Sequence, residues 1–177
     1  MPETFRFFLD RLPTPIGDML MVADGEGRLR ATFWTEDEED LRRVLGRQCP
    51  GVGIEFEPAD NPYGLRAALV AYFGGELHAI DAIPVEAGGT AFQREVWRAL
   101  RGVPCGTTVS YGELARRIGR PNAVRAVGLA NGSNPVGVVV PCHRVIGSNG
   151  SLTGYGGGIE RKRWLLEHER PQGHLGF

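Results

Sequence analysis

The sequence predicts an α+β protein in two parts: a small antiparallel sheet with helices in the first half, and a mostly helical second half. Three observations carry this. Strand-like runs separated by turn residues crowd the first positions, and helical spacing of apolar residues takes over after about residue 90. The charge also changes sign between the halves. Residues 1–85 hold 8 basic and 15 acidic side chains and residues 86–177 hold 12 and 6, so a formal charge of −1 divides into −7 and +6. An acidic half joined to a basic half either reflects ordinary fluctuation or marks a second half that faces a polyanion. With 177 residues the chain can bury a real core.

In chain order, Phe5 to Leu12, Ile16 to Ala23 and Leu29 to Trp34 read as strands, with Asp24-Gly25-Glu26-Gly27 as a turn. Glu36 to Gln48 reads as a helix with Leu41, Val44 and Leu45 on one face and charges ordered to suit the helix dipole. Asn61-Pro62 opens a further helix to Phe73, stopped by Gly74-Gly75. Residues 74–90 carry several glycines and Pro84 and are expected to link a domain at 1–85 to one at 90–177. In the second domain Thr90 caps a helix through Phe92, Val96, Trp97 and Leu100 to Gly102. Tyr111 to Ile118 and Ala123 to Ala130 read as two short helices across a turn at Gly119. Arg116, Arg117, Arg120 and Arg125 surround that turn, so the pair reads as a DNA-binding helix-turn-helix or as an ordinary helical hairpin. Val136 to Val140 is an apolar run that must be buried. A glycine-rich loop from Gly147 to Gly158 and a helix from Glu160 to Glu169 follow.

Composition excludes several classes. No apolar run approaches the roughly 20 residues that span a bilayer, and the N-terminus is not signal-like, so a cytoplasmic protein is expected. Cys49, Cys105 and Cys142 form no C-x-x-C pair, and His78, His143, His168 and His174 supply no matching cluster. Neither a disulfide framework nor a metal site is expected.

The chemistry concentrates at Val140-Pro141-Cys142-His143-Arg144-Val145. A buried cysteine is most often an inert small hydrophobe, which suffices for Cys49 and Cys105. Cys142 has a histidine and an arginine beside it, the residue types that help a thiol to become a thiolate. Adjacent side chains on an extended chain point apart, so a Cys142–His143 relay needs a turn or a bridging water. A histidine base also needs an orienting acceptor. Glu169 is the candidate, because a carboxylate at a helix C-terminus opposes the dipole; the alternative is a solvated helix end.

Pro141-Cys142-His143-Arg144-Val145 resembles the active-site motif of the O6-alkylguanine-DNA alkyltransferases. The resemblance runs, in order and spacing, from Phe92 and Trp97 through Ser110-Tyr111-Gly112, Arg125-Ala126-Val127-Gly128, Asn134-Pro135 and Tyr155-Gly156-Gly157-Gly158 to Trp164-Leu165-Leu166 and Glu169. It implies a ribonuclease H-like first domain and a second domain with the helix-turn-helix. It also implies that Cys142 accepts an alkyl group irreversibly, in a single turnover, from O6-alkylguanine and potentially O4-alkylthymine in double-stranded DNA. His143 would deprotonate Cys142 through a water, and Glu169 would set the histidine tautomer. Asn134 would be a hinge, Tyr111 a donor to the departing base, and Arg125 the side chain that fills the stack when the base is flipped. Val145, Tyr155 and Gly156 would line the base pocket; Ala126 and Gly128 would let the helix approach the minor groove, with Arg116 among the DNA-binding residues. No cofactor, no metal and a monomer in solution are implied, with cooperative assembly on DNA left open. Relatives that hold zinc do so through cysteines and histidines in the first domain, where residues 1–85 offer only Cys49 and His78. Some relatives carry serine where this chain has Gly156. The alternatives are an alkyltransferase-like lesion binder, which would lack the cysteine, and a Cys142–His143 hydrolase, which would leave Arg125 and Asn134-Pro135 without a role.

Overall fold

The computed structural model describes residues 3–171; Met1, Pro2 and residues 172–177, with His174 and the end of the expected second domain, lie outside them. The architecture is mixed α+β, in two compact units. One runs to Arg94 and takes in Pro135–Val139; the other comprises Glu95–Asn134 and the chain from Val140 onward.

The first unit is built on a four-stranded sheet of β1 (Thr4–Thr14), β2 (Gly17–Ala23), β3 (Leu29–Phe33) and β4 (Gly53–Pro58), in the order β3-β2-β1-β4. The three expected strands form an antiparallel meander. The sheet is not wholly antiparallel, however: β4 pairs parallel to β1, from Thr4 opposite Gly53 to Leu9 opposite Pro58. The helix between β3 and β4 supplies the crossover that a parallel neighbour needs. That helix, α1 (Glu38–Gln48), starts two residues later than expected because the Asp37 side chain accepts from Glu39 N at 2.9 Å and caps it. Leu41 and Leu45 bury their side chains with Phe7, Leu20, Val22, Ala31 and Cys49. Cys49 is therefore a packing residue, as the apolar reading of it requires.

The helix expected from Pro62 begins as a 3-10 turn, Pro62–Gly64, and only then becomes α2 (Leu65–Phe73). Tyr63 and Gly64 take left-handed φ values of 56° and 75°, which a continuous α-helix cannot include. The expected linker is not free of the sheet: Leu29 N donates to Pro84 O at 2.8 Å and Glu86 N to Leu29 O at 3.1 Å. Pro135–Val139 lies along the same strand, with Thr32 N donating to Pro135 O at 3.0 Å and Thr32 Oγ1 to Gly137 O at 2.8 Å. Val136, Val138, Val139 and Val140 are all buried. They do not form a continuous strand, because Val138 has φ 73° and Val139 N donates to Gly137 O at 2.9 Å, closing a three-residue turn.

Helix α3 (Ala91–Arg101) begins in the first unit and continues into the second, which holds, among the described residues, three further α-helices and a short parallel pair. Thr90 and Gln93 cap α3 reciprocally, Oγ1 accepting from Gln93 N at 3.1 Å and Oε1 from Thr90 N at 2.9 Å. Strand β5 (Val109–Ser110) pairs with β6 (Val145–Ile146). Ser110 then caps α4 (Tyr111–Arg117), its hydroxyl accepting from Glu113 N at 3.1 Å. Gly119, at φ 73°, ends that helix: Gly119 N donates to Arg116 O and Arg120 N to Ala115 O, satisfying its last carbonyls. Helix α5 (Val124–Gly132) follows, anchored by Trp97 Nε1 donating to Ala130 O at 2.8 Å. Helix α6 (Ile159–His168) closes the unit, with Leu165 buried and the Trp164 and His168 rings stacked at 4.6 Å. No helix among the described residues is long and apolar enough to cross a membrane.

Candidate active site

The turn that a Cys142–His143 relay requires is built into the backbone. Pro141 sits at φ −83°, ψ 64°, and Cys142 N donates to Val140 O at 2.8 Å, a tight bend that the proline ring favours. Cys142–Arg144 then forms one 3-10 turn, with Arg144 N donating to Pro141 O at 3.0 Å. Cys142, His143 and Arg144 are all buried.

His143 and Arg144 converge on Glu169, the residue that ends α6 and is itself buried. His143 Nε2 is 2.9 Å from Glu169 Oε1. Arg144 Nε donates to the same oxygen at 2.9 Å and Nη2 to Oε2 at 2.8 Å, while Nη1 donates to Val103 O at 2.7 Å. Burial pushes the Glu169 carboxyl up, but the bonds from Arg144 and His143 outweigh it and hold the group well below the usual carboxylate range. Burial pushes His143 down, against the pull of Glu169, so its ring is neutral near pH 7. A neutral ring beside a carboxylate carries its proton on the nitrogen facing that carboxylate. Nε2–H therefore donates to Glu169, and Nδ1 keeps a lone pair. Nδ1 is buried and has no hydrogen-bond partner among the described residues.

Burial also pushes the Cys142 thiol up; a hydrogen bond from Asn134 and the charge of Lys162 oppose this. Arg144 was expected to supply positive charge for Cys142. Its guanidinium is instead committed to Glu169, and the cation that favours the thiolate is Lys162. Lys162 is the only lysine in the chain, fully buried, and its Nζ donates to Val145 O at 2.6 Å and Thr153 O at 2.7 Å. Asn134 Nδ2 donates to Val140 O at 2.8 Å, tying the end of the α5 segment to the chain just before Cys142.

A cavity of about 1230 Å³ opens beside this cluster, lined in part by Tyr111, Arg116, Arg125, Gly128, Tyr155 and Gly156. Cys142 is not among its lining residues. It adjoins the cavity through Asn131, whose Nδ2 donates to Cys142 O at 3.5 Å, and through Tyr155, whose buried hydroxyl is pushed well up by burial and by Cys142. The β5–β6 pair places Tyr111 one residue beyond a strand held against Val145. Gly128 packs on the Tyr111 ring, where an added Cβ would sit 3.7 Å from it; at Gly156 a Cβ would meet open space. Arg125 and Ala126 are exposed on α5. Among the described residues no group of three His, Cys, Asp or Glu side chains is placed to hold a metal ion.

Three contributors escaped the sequence reading: Lys162, Asn131 and Thr153, whose Oγ1 lies 2.9 Å from the Tyr111 hydroxyl. The first left a signal, as the single lysine among nineteen arginines. The other two are ordinary polar residues whose spacing announces nothing.

A buried thiol followed in sequence by a neutral, carboxylate-oriented imidazole, beside an open cavity, is a candidate nucleophile. Comparison with known proteins makes the class specific. Residues 91–171 match the family model for the DNA-binding domain of 6-O-methylguanine DNA methyltransferase. The methylated-DNA–protein-cysteine methyltransferase of Shigella flexneri is 51% identical over 164 residues, covering 93% of this chain and 96% of that protein. The crystal structure of Mycobacterium tuberculosis O6-methylguanine methyltransferase superposes with a TM-score of 0.75 at 41% identity, covering 94% of this chain and 92% of that one. The same organism's protein in complex with DNA gives a TM-score of 0.74 at 41% identity over 93% and 92%. The chain belongs to the methylated-DNA–protein-cysteine methyltransferase family of enzymes.

Proposed function

We propose that the protein repairs duplex DNA by taking the alkyl group of O6-alkylguanine onto Cys142 once and irreversibly. The observation that carries this reading is the buried Cys142–His143–Glu169 arrangement beside a cavity large enough for a nucleotide. In the reaction, His143 Nδ1 takes the Cys142 proton through a water, and Glu169 holds the ring for that transfer. The sulfur attacks the alkyl carbon, the S–C bond forms and the C–O6 bond breaks. Its electron pair passes to the guanine; Tyr111 donates a hydrogen bond to that anion until it takes a proton from water, and His143 returns the thiol proton to solvent, so the protons balance. Dealkylating the resulting thioether would have to expel a cysteine thiolate, a poor leaving group from an alkyl carbon, so the protein is spent after one event.

O6 of guanine is out of reach for in-line attack inside a duplex, so the base must be flipped into the cavity. Helices α4 and α5 serve as a helix-turn-helix that presents α5 to the minor groove. Ala126 and Gly128 permit close approach, Arg125 fills the vacated place in the stack, and Arg116 faces the phosphates. Minor-groove contact carries little sequence information, which suits a search for damage in any context. Asn134 acts as the hinge between α5 and the Cys142 segment, Tyr155 and Gly156 form the wall against the base, and Val145, itself buried and outside the lining, backs that wall through its backbone. Residues 1–85 form a ribonuclease H-like domain and residues 90–177 carry the transfer chemistry, and the protein works as a cytoplasmic monomer without metal or cofactor. O4-alkylthymine offers the same alkyl–oxygen bond and is a second substrate of this reading.

The test is the mass of the peptide holding Cys142 after incubation with duplex DNA carrying O6-methylguanine. One added methyl group is expected, and none in Cys142→Ala. Repair by Cys142→Ala, or a methyl group on another residue, contradicts the assignment.

A further inference from the structure

One hydrogen bond joins α4 to the loop of residues 147–158 at the cavity wall: Tyr111 Oη to Thr153 Oγ1, 2.9 Å, between residues 42 positions apart in sequence. Both side chains line the cavity. Thr153 is also held from behind. Its carbonyl accepts from Lys162 Nζ at 2.7 Å, and the same ammonium group donates to Val145 O at 2.6 Å, three residues after Cys142. A fully buried lysine thus fixes the backbone that presents the Thr153 hydroxyl to Tyr111.

A phenol has one proton. If Tyr111 spends it on Thr153, nothing remains for a base in the cavity. If Thr153 is the donor, the Tyr111 proton is free to turn toward that base. We propose that Thr153 is a positioning residue for alkyl transfer: its hydroxyl donates to the Tyr111 oxygen and directs the Tyr111 proton at the departing guanine. This rests on the role given to Tyr111 above.

The arrangement is a two-link chain, Thr153 O–H to Tyr111 O–H to base. Each link polarises the next, so the Tyr111 proton becomes a better donor as negative charge develops on the guanine. The bonds made and broken are unchanged: S–C forms, C–O6 breaks, the electron pair goes to the purine, and Thr153 ends as it began. Threonine at this position supplies a donor that the loop's glycines, Gly154 and Gly156, cannot.

The test compares single-turnover transfer at saturating O6-methylguanine duplex in wild type, Thr153→Val, Thr153→Ser, Tyr111→Phe and the Thr153→Val/Tyr111→Phe double variant. Valine keeps the shape and removes the donor, and the loss of one hydrogen bond of this kind corresponds to a rate about tenfold slower. Serine keeps the donor and should transfer within about twofold of wild type. In the Tyr111→Phe background, Thr153→Val should have no further effect. Because Thr153 is exposed, no variant at this position should shift the thermal midpoint by more than about 2 °C. Thr153→Val at wild-type speed, Thr153→Ser as slow as Thr153→Val, or an equal loss without the Tyr111 hydroxyl would overturn the assignment. Failure of the wild type to transfer at all would instead overturn the proposed function.

Discussion

Replacing Glu169 with glutamine removes one charge and almost no volume, yet three contacts depend on that charge. His143 Nε2 and Arg144 Nε share Oε1 at 2.9 Å, and Arg144 Nη2 reaches Oε2 at 2.8 Å. Glutamine keeps one acceptor oxygen and turns an NH2 group toward a donor. Arg144, only 6% exposed, keeps its bond to Val103 O but loses the carboxylate charge that its guanidinium faces. Breaking a buried ion pair from one side costs about 3–5 kcal/mol, and for a chain of this size that lowers the thermal midpoint by about 10 °C. The sign with pH follows from the carboxyl, which lies well below its unfolded value. Its contribution is complete above about pH 5 and is lost as the pH falls from there, so the gap between wild type and variant should narrow in acid. The same change frees the His143 ring from its fixed tautomer and should slow alkyl transfer by about a hundredfold. Thermal unfolding from pH 4 to 8, with single-turnover transfer measured in parallel, checks both. A midpoint within about 2 °C of wild type at pH 7 would refute the reasoning, because it would mean that Arg144 does not need the charge.

Three further outcomes follow from the site. Arg125→Ala should weaken repair in duplex DNA far more than transfer from free O6-benzylguanine, since α5 exposes this side chain while the thiol cluster lies elsewhere; equal losses on both substrates would assign it to the chemistry or the fold. Lys162→Met should lower the thermal midpoint, because the buried Val145 carbonyl and the part-buried Thr153 carbonyl lose a charged donor, the buried bond being worth about 1.5–3 kcal/mol. It should also slow Cys142 alkylation by iodoacetamide, since losing the cation moves the thiol further up; unchanged reactivity would separate Lys162 from Cys142. The transfer rate should be flat from about pH 7 to 8.5, where a thiol raised by burial meets a neutral imidazole, and fall only further into acid than an ordinary histidine would dictate, because burial resists protonation of His143. A tenfold rise per pH unit across that range would point to a thiolate acting without His143.

Much of this was legible from local pattern. The Asp24–Gly27 turn and the apolar runs on either side of it marked β2 and β3, and the glycine after α4 marked its end. Strand β4 went unread although Ile54 and Phe56 alternate with Glu55 and Glu57, the period of a half-buried strand; its parallel pairing with β1 is settled by the α1 crossover rather than by its own residues. The turn at Val138 was equally hidden: a run of valines reads as extended chain, and only its surroundings force one into the left-handed region. At the site, Glu169 broke a local rule and so drew notice. Arg144 was assigned to the wrong partner because adjacency to Cys142 says nothing about where a long side chain ends. Lys162 lies 20 positions from Cys142 on another helix, and no spacing rule connects the two.

The central claim is that Cys142 is an acceptor used once rather than a catalyst that recycles. A titration counts it most directly: a fixed amount of protein, a rising excess of duplex DNA carrying O6-methylguanine, and the methyl groups lost from DNA at completion. A plateau is expected at one methyl group per protein, matched by complete loss of the free Cys142 thiol. Removal that continues past that ratio, or that leaves the thiol free, would contradict it.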